Sequence, residues 1–140
     1  RVKGAQGMRV NALDHFNVIT EQMDETAAFY AAVLGLERRD GPPPLPPHQV
    51  QWMYDDTGRA LVHINHTECP RAFDREVFPG QPTGAIHHVA FNCSGFDGLI
   101  ERLDAAGLTR HVNTIASIGL RQVFVTDPNN VVLELNFFGD

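Results

Sequence analysis

The chain reads as an α+β protein of two tandem βαβββ modules, whose mixed sheets cup around a cavity. Three observations predict it. His15 and His88 lie 73 residues apart, Leu34-Gly35-Leu36 and Ala106-Gly107-Leu108 lie 72 apart, and His63-Ile64-Asn65 and Glu134-Leu135-Asn136 lie 71 apart. Near-equal offsets in the same order mark an internal duplication. The first and last members of each set fall in strand-like stretches, and the middle member ends a helix-like one.

In the first half, residues 11–19 read as a strand in which His15 shares a face with Leu13 and Asn17 on period-2 alternation. Residues 24–34 read as a helix, with Asp24 as N-cap, Phe29, Ala32, Val33 and Leu36 at helical spacing, and Gly35 as a left-handed C-cap. Gly41-Pro-Pro-Pro-Leu-Pro-Pro47 excludes helix and central strand and reads as a stiff loop. Residues 50–54 and 59–65 read as strands around the turn Asp55-Asp56-Thr57-Gly58, and 67–83 as an irregular crossing loop with three prolines.

The second half repeats the order. Residues 85–93 read as a strand, 96–106 as a helix with Leu99, Ile100, Leu103 and Ala106 as its stripe, and 110–115 as a weak strand. The closing hairpin runs from Arg121 to Asn136 through Asp127-Pro128-Asn129-Asn130, a turn in which Pro pre-sets φ and Asn tolerates a positive one. The modules span about 10–66 and 84–138 of one domain, 8–140, after a disordered extension or appended remnant over 1–7.

Composition narrows the function. The 140 residues carry a net charge of −6, which argues against a nucleic-acid surface. No apolar run approaches the roughly 18 residues that a membrane span needs. Cys69 and Cys93 form no disulfide framework, which points to a reducing cytoplasm.

Each module places one donor on its first strand and one on its last: His15 and His63, then His88 and Glu134. Imidazole and carboxylate are the usual donors for a divalent ion, so the four are a candidate metal set. A lone carboxylate in the apolar run 131–138 is costly unless paired or metal-bound. Asn17, Asn65 and Asn136 sit two residues beyond three of the donors, on the same strand face. Arg121 is either a solvated strand start or an anion clamp at the cavity rim. His87 points to the other face on alternation, His48, His66 and His111 read as surface residues, and Tyr30, Trp52 and Cys93 as packing residues.

Leu13-Asp14-His15, Phe29-Tyr30 with Leu34-Gly35-Leu36, His88-Val89-Ala90-Phe91, and Asp127-Pro128 with Glu134-Leu135 resemble the vicinal oxygen chelate superfamily, the group of glyoxalase I, bleomycin and fosfomycin resistance proteins and extradiol dioxygenases. The resemblance implies one divalent metal per site (zinc, nickel, iron(II) or manganese) on residues matching His15, His88 and Glu134. His63 falls where glyoxalase I has a fourth ligand, a glutamate, and near an acid–base histidine of the dioxygenases. Phe124 stands where those dioxygenases have a tyrosine, which disfavours ring cleavage.

The expected activity is that of a glyoxalase-like lyase or isomerase binding vicinal oxygens of a small substrate. Glu134 and His63 are its catalytic groups, and Arg121, Asn17, Asn65, Asn136 and Phe124 its substrate contacts. The alternatives are an iron(II) extradiol dioxygenase, a thiol transferase of the fosfomycin-resistance type, and a metal-free drug-binding module. The resemblance also implies a homodimer with shared sites.

Overall fold

The computed structural model describes residues 7–139. The elements are β1 (Phe16–Thr20), α1 (Met23–Leu34), β2 (Glu37–Asp40), β3 (Val50–Tyr54) and β4 (Ala60–His66), then β5 (Val89–Cys93), α2 (Phe96–Ala105), β6 (His111–Ile115), β7 (Leu120–Thr126) and β8 (Val132–Phe138). They form two four-stranded sheets, β1-β4-β3-β2 and β5-β8-β7-β6. In each, the first strand runs parallel to the last and the other pairs are antiparallel. This is the duplicated βαβββ order that the offsets predict. No helix among the described residues is long and apolar enough to cross a membrane.

The duplication extends to the register. One cross-strand row of the first sheet is Arg39–Trp52–His63–Asn17, and 71 to 73 residues on the second sheet has His111–Phe124–Glu134–Ala90. Directly paired residues point to one face of a sheet. His63 and Glu134 are therefore equivalent positions, and so are Trp52 and Phe124.

Three local expectations change. β1 starts at Phe16 and β5 at Val89, so the strands do not include residues 11–15 or 85–88. Among the described residues each first strand pairs only with its module's last strand, over five residues. β2 has no counterpart in the sequence reading. Its Glu-Arg-Arg-Asp is exposed throughout and lacks apolar alternation, and it forms as an edge strand on β3. Charged residues are a common way to blunt an edge. Third, Asp24 is not the N-cap of α1. The cap is Gln22, whose backbone N–H donates to Thr20 Oγ1 at 2.8 Å, and Asp24 and Glu25 occupy the first turn, where the helix dipole favours them. The Gly35 cap forms as expected, with φ 69°. Arg102 of α2 closes on it: a Cβ at Gly35 would lie 2.8 Å from Nη1.

One core joins the modules. Val18, Tyr30, Val33, Met53, Val62 and Ile64 of the first cluster with Leu99, Leu103, Val123, Leu133, Leu135 and Phe137 of the second. Both helices lie in it, so it takes the helix-covered face of each sheet, and the faces carrying His63 and Glu134 lie on the other side.

A buried polar network fastens the β7–β8 turn to the first module. Tyr30 Oη–H donates to Asp127 Oδ2 at 2.8 Å. Asp127 Oδ1 accepts the backbone N–H groups of Asn129 and Val131, both at 2.8 Å. Asn129 accepts from Thr20 Oγ1 at 2.6 Å and donates to Thr26 Oγ1 at 2.8 Å.

Burial, and then the Asp127 charge, push the Tyr30 hydroxyl up from its usual 10.0. The unfolded chain therefore loses this proton first as pH rises, so the contribution is fully present below pH 10 and declines above it. Tyr30→Phe is expected to cost about 2 kcal/mol at neutral pH, because it strips a bond from a buried carboxylate. It should also flatten the alkaline limb of the stability curve. Urea unfolding between neutral and alkaline pH measures both effects.

Candidate metal centre

The four candidate donors come together in two pairs. His15 and His63 stack with ring centroids 3.6 Å apart and planes 11° from parallel. His88 Nε2 lies 3.4 Å from Glu134 Oε1. Among the described residues no three His, Cys, Asp or Glu side chains come together as one metal-holding group. The chemistry of these side chains suits a divalent ion, and the chain presents them as two separate pairs.

The pairs are built alike. His15 and His88 each stand one residue before the first strand of a module, and each has its Nδ1 engaged by the preceding side chain. His15 Nδ1 donates to Asp14 Oδ2 at 2.6 Å, and His88 Nδ1 lies 3.0 Å from His87 Nδ1. A histidine fixed through one nitrogen presents the other to a ligand in a set orientation. His87 thus does not point away, as alternation suggested: it precedes β5, where strand alternation does not operate. The bond to His15 holds the Asp14 carboxyl below its usual value.

His63 is clamped on both sides. Trp52 stacks on its far face, with centroids 3.9 Å apart and planes 10° from parallel. Burial, and then the neighbouring His15 charge, lower its pKa from 6.5 to about 4, so the ring is neutral at physiological pH. Trp52 packs as expected, but against a candidate donor rather than in the core. The signal was present, since Trp52 and His63 pair once β3 and β4 are laid antiparallel about the Asp55–Gly58 turn.

The substrate candidates divide. Asn17 pairs in register with His63, and Phe124 with Glu134. Asn136 Nδ2 donates to Glu134 Oε2 at 2.9 Å, and its own Oδ1 is buried without a partner. Asn65 turns to the following loop, with Nδ2 3.9 Å from Cys69 Sγ. Arg121 is placed on the other face: it pairs with Phe137 and lies 3.8 Å over the Phe96 ring of α2. Alternation puts it with Val123 and Val125, which are core residues, and the cation–π contact covers its guanidinium there. A cavity of about 580 Å³ lies on the first concave face, between Trp52, Tyr54 and His63 and the chain segment 8–14. Another, of about 660 Å³, lies where α1 ends beside α2 and touches none of the donors.

Two βαβββ sheets with His63 and Glu134 at equivalent register positions define a class of small two-module proteins. The chain belongs to the glyoxalase, bleomycin resistance protein and dioxygenase superfamily, whose family model matches residues 12–135. No curated protein matches the sequence. Among solved structures, an integron cassette protein from the mobile metagenome of V. Pseudocholerae is similar at 15% identity, covering 95% of this chain and 98% of that one, with a TM-score of 0.72. A lactoylglutathione lyase from Agrobacterium tumefaciens is similar at 21% identity, over 93% and 96%, with a TM-score of 0.61. A fosfomycin resistance protein from Listeria monocytogenes is similar at 18% identity, over 92% and 94%, with a TM-score of 0.62. At these identities the likeness is one of fold.

The clamp on His63 is testable by itself. Its imidazole should titrate near pH 4 by NMR, and Trp52→Leu, which opens one ring face to water, should move the midpoint up toward 6.5.

Proposed function

We propose that the protein is a metal-dependent lyase or isomerase of the glyoxalase type, acting on a small oxygen-rich substrate at sites shared between two chains of a homodimer. The observation that supports this most is the pairing of the donors two by two, each leading histidine fixed through Nδ1. Half a site on each sheet, on the face away from the chain's own core, is what a shared site requires. His15 and His63 of one chain would face His88 and Glu134 of the other. Ile115 and Phe138, 39% and 52% exposed, share the cross-strand row through Leu120 and add apolar surface to the second concave face. The two free cysteines suit a reducing, cytoplasmic setting.

When bound, a divalent ion supplies Lewis acidity toward two adjacent substrate oxygens. The chain's own residues do the rest. Glu134 takes and returns the proton, with Oε2 held by Asn136 and Oε1 toward His88. Asn17 and Phe124 line the face where the substrate sits.

One observation favours a second reading. Rings in near-parallel planes 3.6 Å apart cannot both aim in-plane lone pairs at one ion, and His63 is the ring held on both faces. His15, His88 and Glu134 would then be the ligands. His63, neutral and adjacent, would be an acid–base group, as in an extradiol dioxygenase.

Elemental analysis should find about one divalent metal per chain, and His88→Ala or Glu134→Ala should lose most of it. His63→Ala that keeps its metal but loses turnover selects the acid–base role, whereas loss of metal selects ligation. Refolding His15→Ala together with Glu134→Ala should restore part of the metal binding, because a mixed dimer holds one intact shared site. Mixed dimers without any rescue would rule out the shared arrangement.

A further inference from the structure

The donors use only part of the first concave face. Tyr54, Trp52, His63 and His15 form an unbroken row of rings, with successive centroids 6.3, 3.9 and 3.6 Å apart. The three stacked rings stand perpendicular to the line that joins them, so they turn edges rather than faces to the cavity beside them. That cavity, about 580 Å³, is large enough for a two-ring ligand. Ring edges carry the positive part of the aromatic quadrupole and attract the electron-rich face of another ring.

A cation ends the row. Arg39 pairs across strands with Trp52, and its guanidinium lies 3.8 Å over the Tyr54 ring. Its Nε faces Glu37 Oε1 at 3.4 Å. The proline-rich loop braces the far side of the row. A Cβ at Gly41 would lie 2.9 Å from Leu45 Cδ1 and 3.3 Å from Trp52 Cε2, so the loop comes this close to Trp52 because residue 41 is a glycine. The result is a wall of ring edges beside a cavity, with the Arg39 guanidinium over Tyr54 at the wall's end. The cavity lining itself also carries Arg9 and Arg59, the first bonded to Asn11 and the second paired with Asp55.

We propose that the first concave face binds a planar, electron-rich aromatic carboxylate, its ring against the Tyr54–Trp52–His63 row and its carboxylate on the Nη edge of Arg39. The proposal rests on the reading above only in making this ligand the substrate of that site. The wall itself belongs to one sheet and needs neither Glu134 nor a metal.

Calorimetric titration of the purified full chain with 2-naphthoate tests it, against cyclohexanecarboxylate, which lacks the π-face, and 2-naphthylmethanol, which lacks the charge. 2-Naphthoate should bind about tenfold more tightly than either. It should also change the emission of Trp52, the chain's single tryptophan. Arg39→Met should abolish the preference over 2-naphthylmethanol, and Trp52→Leu the preference over cyclohexanecarboxylate. Tyr54→Leu serves in its place if Trp52→Leu does not fold. Glu134→Ala should keep both preferences. Equal binding of the three probes, no binding of 2-naphthoate, or an unchanged preference in Arg39→Met overturns the proposal, as does loss of binding in Glu134→Ala. Metal retained by Glu134→Ala would overturn the metal reading alone.

Discussion

The buried carboxylate of Asp127 sets the geometry on which the rest depends. It accepts Tyr30 Oη–H on one oxygen and two backbone N–H groups of its own turn on the other. Asn129 extends the network to Thr20 at the end of β1 and Thr26 in α1. Apolar burial is non-directional and would tolerate several ways of laying one module on the other. A buried polar network is not so tolerant, since each member left unpaired costs a desolvation penalty. The network therefore fixes the β7–β8 turn against the first module and keeps the helix-covered sheet faces together. By the same constraint, the donor faces are the ones left for something else to cover.

The two donor faces share a register and differ in chemistry. At equivalent rows, the first sheet has Arg39, Trp52, His63 and Asn17, and the second has His111, Phe124, Glu134 and Ala90. The first half is a wall of rings whose His63 is held neutral by burial. The second carries the carboxylate, oriented by Asn136, whose buried Oδ1 has no partner. An unsatisfied acceptor beside a carboxylate is a cost to folding, and such costs concentrate where a structure serves a ligand. The division leaves the stacked rings on one half and the carboxylate on the other.

Much of this was legible in the sequence. The offsets between His15 and His88 and between His63 and Glu134 reveal the duplication, because a repeat leaves its spacing in the chain. Gly35 marks a helix end, because a left-handed cap is what glycine permits at low cost. The family assignment follows from the same residues, and the match over 12–135 supports it. Local rules failed where local information was thin. β2 is a charged edge strand without alternation, held by its pairing with β3.

By itself, then, the sequence determined the duplicated module, the equivalence of the His63 and Glu134 positions and the superfamily, since all three are carried by residue type and spacing. Only the tertiary structure decided how those residues meet. It put Arg121 on Phe96, on the core side and away from Glu134. It brought His87 onto His88, because both precede the strand whose alternation would have separated them. It set Trp52 against His63. It also presented the donors as two pairs on faces outside the shared core, because one face of each sheet had already been taken by the helices and by the other module.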